Sequence, residues 1–166
     1  MANTYTLIAS STVGSGGVAD ITFSAISATY TDLLLRVSAR TNRADTFDCI
    51  LIKPNNSSSN LSYRYIRGDG STASSNTLSR FDINGNSATA STFGNLDFYM
   101  TNYASSNYKS MSGDSVTENN ATEALSGLHA WLWSDTTAIS SIVCAPAFGT
   151  LFSQYSTFYL YGISNS

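Results

Sequence analysis

Apolar and polar residues alternate one by one through most of this chain, and a period of two commits it to β-strands. Ala19, Ile21 and Phe23 alternate with Asp20, Thr22 and Ser24. From Asp32 onward, Leu33, Leu35, Val37 and Ala39 share one side of a strand, with Leu34, Arg36, Ser38 and Arg40 on the other. Phe47–Ile52 is apolar at nearly every position, the pattern of a central strand covered on both faces. Further strands are expected at Tyr5–Ser10, Leu61–Ile66, Leu78–Ile83, Leu96–Thr101, Tyr108–Val116, Leu125–Trp133, Ile139–Ala145 and Thr157–Ile163. Between them, Val13–Gly17 is a flexible turn and Pro54 ends a strand, since proline cannot donate to a ladder. Asn84-Gly85 is a pair that accepts positive φ in a turn. Thr117–Leu128 comes nearest to a helix, but Gly127 and its many polar residues break it. The expected fold is all-β, one antiparallel β-sandwich or jelly roll spanning residues 1–166. Leu33, Leu35, Val37, Cys49 and Leu51 are its expected core.

Charge is scarce: 11% of residues are charged, against about a quarter in an ordinary soluble domain. Hydroxyl and amide side chains must therefore hydrate the surface. The net charge of −3 and eight scattered Lys and Arg offer no footprint for a phosphate backbone, so no nucleic-acid partner is expected. Arg36 and Arg40, on the polar side of their strand, read as a solvated edge. No run nears the roughly 18 apolar residues of a membrane span, so no membrane partner is expected either. The opening MANTYTLIASSTVGSGG has neither the basic start nor the apolar stretch of a secretory signal, which points to synthesis in a cytoplasm. In that setting Cys49, in FDCILI, and Cys144, in SIVCA, read as reduced, buried thiols, with a cross-sheet bridge as the alternative.

The ionisable residues do not gather into a recognisable site. His129 is the sole histidine, and in LSGLHAWLW it shares a strand face with Gly127, Trp131 and Trp133, so aromatic packing is its expected role. A hydrolase needs a nucleophile and an orienting carboxylate beside the imidazole, and no G-x-S-x-G turn occurs. Asp114, Glu118 and Glu123, with Asn119 and Asn120, could offer oxygen ligands to calcium but lack the ligand order and glycine of an EF-hand loop, so a polar loop is expected. Arg67-Gly68-Asp69 spells an adhesion tripeptide, yet Gly68-Asp69-Gly70 is already sufficient as a turn. Sequons at Asn55, Asn56, Asn60 and Asn120 follow from composition. No catalytic residue, cofactor or metal ligand is expected, and the chain reads as non-enzymatic.

What remains is an aromatic surplus of ten Tyr, eight Phe and two Trp on a nearly uncharged chain. Tyrosine and tryptophan are favoured at protein interfaces, and Tyr5, Tyr63, Trp131 and Tyr159 are the candidate contact residues. The segments NTYTLIASSTVGSGGVADITFSAISATYTDLLLRVSARTN, SYRYIRGDGS, SGDSVTENNATEA and FSQYSTFYLYGI resemble small β-sandwich virion proteins of tailed bacteriophages, common among marine and cyanobacterial phages. Within that range the chain most resembles capsid decoration (cement) proteins. The resemblance implies a virion component on the capsid surface, a homotrimer bound where subunits of the major capsid protein meet, with no catalytic residue. The alternative it leaves is a tail-fibre or receptor-binding tip, or a tail accessory protein, recognising a host glycan or protein.

Overall fold

The computed structural model describes residues 4–121 and 123–164, and every regular element in them is a strand. In chain order these are β1 (Tyr5–Thr12), β2 (Ile21–Phe23), β3 (Asp32–Ala39), β4 (Phe47–Pro54), β5 (Leu61–Gly68) and β6 (Ala73–Asn76). They continue as β7 (Phe81–Asn84), β8 (Gly94–Met100), β9 (Lys109–Glu118), β10 (Ala124–Trp133), β11 (Ile142–Pro146) and β12 (Thr157–Ile163). An eight-stranded sheet runs β1-β12-β3-β8-β9-β10-β5-β6, and a four-stranded sheet runs β2-β11-β4-β7. Neighbours pair antiparallel throughout both sheets. The order supports a β-sandwich and no finer name for its topology. No helix among the described residues is long and apolar enough to cross a membrane. Asn3, where the quoted resemblance begins, and Thr122, in the Asn120 sequon, lie outside the described residues.

Alternation sets the core. Leu33, Leu35, Val37 and Ala39 of β3 point inward with Leu96, Phe98 and Met100 of β8, and meet Ile50, Ile52, Phe81, Ile83 and Ile142 of the smaller sheet. Burying each Leu, Ile or Phe contributes about 1.5–3 kcal/mol before entropy is subtracted. Leu51 departs from its expected place: with Ile50 and Ile52 aimed at the core, pleating turns Leu51 to the other side of β4, where it is half-buried. Asp48, in the same segment, is fully buried.

The same parity keeps the two cysteines apart. Cys144 belongs to the core cluster, whereas Cys49 lies on the far side of β4 and donates its thiol to Asp82 at 3.3 Å. Both are free and buried, and desolvation raises both thiol pKa values. A thiol titration is expected to find two reactive groups after denaturation and none before; recovery of none in the unfolded chain would mean a bridge.

Three turn and edge expectations change. Neither Asn84 nor Gly85 has positive φ. Gly85 is needed because a Cβ there would run into the Asp45 carbonyl oxygen. The expected polar loop is shorter, since Asp114 and Glu118 belong to β9, and beyond that strand Asn119 Oδ1 accepts from the amides of Ala121 and Glu123. Arg40 is no solvated edge residue. It lies just past β3, is buried, and its guanidinium donates to the carbonyls of Asn86, Ala88, Thr89 and Thr92.

Candidate binding surface

The smaller sheet covers one face of the eight-stranded sheet, and the other face is outward. Pleating decides which side chains reach it. On β12, Phe158 and Leu160 are core, so Tyr159 and Tyr161 face out, with ring centroids 6.4 Å apart. Register places Leu7 beside Tyr161, Tyr161 beside Leu34, and Leu34 beside Tyr99, a row of apolar and aromatic side chains across four strands. Tyr5, at the start of β1, is exposed next to this row. Two of the expected contact residues, Tyr5 and Tyr159, therefore lie on the outward face.

The other two do not. Trp131 is 3% exposed and is a core residue, with its ring 5.3 Å from Phe81 and 5.0 Å from Phe98. Tyr63, directly opposite it on β5, is half-buried with its ring edge-on to Trp131 at 4.6 Å. Both belong to the inward side of their strands. The residues facing out in their stead are Leu128 and Ile66, a directly opposed pair on β10 and β5, 60% and 59% exposed.

Between the tyrosine row and the Leu128–Ile66 pair runs a charged strip. Arg36 Nε and Nη2 donate to Asp97 Oδ1 and Oδ2 at 2.8 and 2.6 Å, a bidentate pair that raises the Arg36 pKa. Asp114 sits directly opposite Asp97, where partial burial and the like charge raise its pKa. Hollows of about 540, 290 and 380 Å³ lie in sequence across this face, from Arg64 and Ile66 through Tyr99 and Asp114 to Arg36 and Tyr159. The arrangement suits broad contact with another surface.

His129 is packed as its aromatic neighbours suggest. It is 4% exposed, with its ring 4.2 Å from Phe81 and stacked on Tyr65 at 5.4 Å. Nε2 lies 3.1 Å from Ser115 Oγ, but Ser115 is itself fully buried and Nδ1 has no hydrogen-bond partner. This Ser–His pair lies between the sheets, with no carboxylate among the described residues hydrogen-bonded to the imidazole. Burial pushes the His129 pKa from 6.5 down to about 4, with Asp82 opposing in part. Because the folded value lies below the unfolded one, this stabilisation is complete above pH 6.5 and is lost as pH falls from 6.5 towards 4. The loss amounts to about 3 kcal/mol. In urea titrations across that range, His129→Gln is expected to remove about one proton from the pH dependence of unfolding; an unchanged slope would contradict the buried neutral imidazole.

The remaining polar motifs serve local structure. Asp69 Oδ1 accepts from the amides of Ser71 and Thr72, which holds its pKa well below the carboxylate range, and Gly70 has φ +89°. Arg67 pairs with Asp82 at 3.3 Å, so Arg67-Gly68-Asp69 is a strand end and turn. Asp114, Glu118 and Glu123 are dispersed: Asp114 faces out from β9, Glu118 accepts the Asn120 amide, and Glu123 accepts the Thr46 hydroxyl. No group of three or more His, Cys, Asp or Glu among the described residues is placed to hold a metal ion. Lys109 is fully buried and donates to the carbonyls of Asp135 and Thr137 at 3.1 and 2.6 Å, fixing the loop after β10. No protein-family model, curated protein or solved structure matches the chain.

Proposed function

We propose that the protein is a non-catalytic component of a tailed-phage virion, a capsid decoration protein that docks on the shell through the tyrosine-rich half of its eight-stranded sheet. The observation that carries this reading is the uncovered row of Leu7, Tyr161, Leu34 and Tyr99, flanked by Tyr5 and Tyr159. Such a surface gains apolar burial on contact, and its Arg36–Asp97 charges are already paired with each other within the face. The resemblance of the quoted segments to decoration proteins supports the same reading and makes the major capsid protein the partner. A protein that spans neighbouring subunits adds contacts that must break together when the shell opens, and many attached copies make a modest single-site affinity sufficient.

Capsids lacking the protein are expected to release DNA at a lower temperature than complete ones, and purified protein to restore the higher value. Tyr159→Ser combined with Leu7→Ser is expected to weaken rebinding at least about tenfold. A release temperature indifferent to the protein would sink the proposal. Binding to host cells with blocked adsorption would replace it with a receptor-binding tip.

A further inference from the structure

We infer that the β10–β5 half of the outward face is a contact between two copies of this chain, related by a two-fold axis. Leu128 and Ile66 form its centre, extended along β10 by Ala130 and Leu132. A hollow of about 540 Å³ opens beside them, lined also by Arg64 and Thr77. Two exposed, directly opposed aliphatic side chains are an apolar surface without a cover in the monomer.

The charges beside that centre select the occupant. Asp114 borders it on the β9 side, next to Leu128, and its carboxylate makes no hydrogen bond or ion pair among the described residues. Arg64 borders it on the β5 side, opposite Ala130. Its guanidinium donates to the adjacent Tyr63 carbonyl and forms no ion pair among the described residues. Two strands and one residue pair separate these groups, about 12 Å along the face. An axis lying in the face and crossing β10 between Leu128 and Ala130 lays Arg64 of each copy over Asp114 of the other. It also brings the two Leu128 side chains together. Sheets packed face to face sit about 10 Å apart, a gap that an arginine and an aspartate side chain span together.

A foreign partner would need the same alternation of cation, aliphatic pair and anion; a second copy has it by symmetry. The five strands from β8 to β6 offer about 600 Å² per copy, or about 1,200 Å² in all, at the lower edge of specific interfaces. A two-fold pair takes the place of the trimer that the resemblance implies. In the tyrosine row, Leu34, Tyr161 and Leu7 lie three to five strands from the axis, about 14–24 Å away, and Tyr99 on β8 sits at the edge of the dimer footprint. The inference does not depend on the virion reading and is tested on the purified chain alone.

Sedimentation velocity over a concentration series is expected to give a monomer–dimer equilibrium with Kd of about 1–100 μM. Leu128→Gln and Asp114→Arg, both at outward positions, are each expected to raise Kd at least about tenfold with unchanged circular dichroism. Asp114→Arg combined with Arg64→Asp is expected to return Kd to within about threefold of the parent, since the pair is reversed and not lost. A chain that stays monomeric up to about 1 mM, one that forms trimers, or a dimer indifferent to these substitutions would each overturn the inference.

Discussion

Replacing Arg40 with Ala is expected to lower the unfolding free energy by about 3–4 kcal/mol, read as a shift of the urea midpoint. The guanidinium donates to four backbone carbonyls, those of Ala88 and Thr89 at 2.8 Å, Asn86 at 2.9 Å and Thr92 at 3.1 Å. Together these close the loop between β7 and β8. Alanine leaves acceptors unmatched and empties the space the guanidinium filled. Arg40→Lys is expected to recover less than half of the loss, because an ammonium cannot reach four carbonyls spread around a planar fork. A loss below about 1 kcal/mol for Arg40→Ala would show that the loop is held by other contacts.

Asp48→Ala is expected to cost about 3–5 kcal/mol. Its carboxylate is fully buried and is held by four donors: the Thr41 hydroxyl and Cys49 amide at 2.7 Å, the Gly149 amide at 2.9 Å and the Phe148 amide at 3.2 Å. This one side chain ties the start of β4 to the loop between β11 and β12. Without it, buried N–H groups lose their acceptor. Asp48→Asn removes the charge and turns one acceptor oxygen into a donor facing donors, so it is expected to recover little. Gly149→Ala should weaken the same knot, since a Cβ there would sit 2.8 Å from Asp48 Oδ2. Equal thermal stability of Asp48→Ala and the parent would contradict this account.

Neither residue announces itself in the sequence. Asp48 sits in a run of apolar neighbours, and the run reads as a covered strand whether or not the aspartate finds donors. Arg40 continues the polar side of β3, and only the end of the strand, where the chain leaves the pleat, turns it inward. Strand positions were legible because alternation is local: β3, β5, β10 and β12 fall within a residue or two of their expected bounds. The short β6 was not, since Ala73–Asn76 is exposed at all four positions and carries no alternation.

The candidate surface was half legible for a related reason. Period two tells which residues share a face but not which face is inside. In β12, Phe158 and Leu160 alternate with tyrosines, and the more apolar set goes in. In HAWLW both faces are apolar, so Trp131 could be assigned inward only once Phe81 and Phe98 were in place around it. Asp114 comes beside Leu128 through the adjacent β9–β10 hairpin, but the opposition of Leu128 to Ile66, with Arg64 beside it, arises from pairing β10 with β5, far away in the chain. Nothing local encodes that.

The most direct measurement is a cryo-electron microscopy reconstruction of intact virions. The expected result is density for this β-sandwich on the outer shell, with the β1–β12–β3 side of the larger sheet against the major capsid protein. Density confined to the tail tip, or none in the virion, would contradict the account.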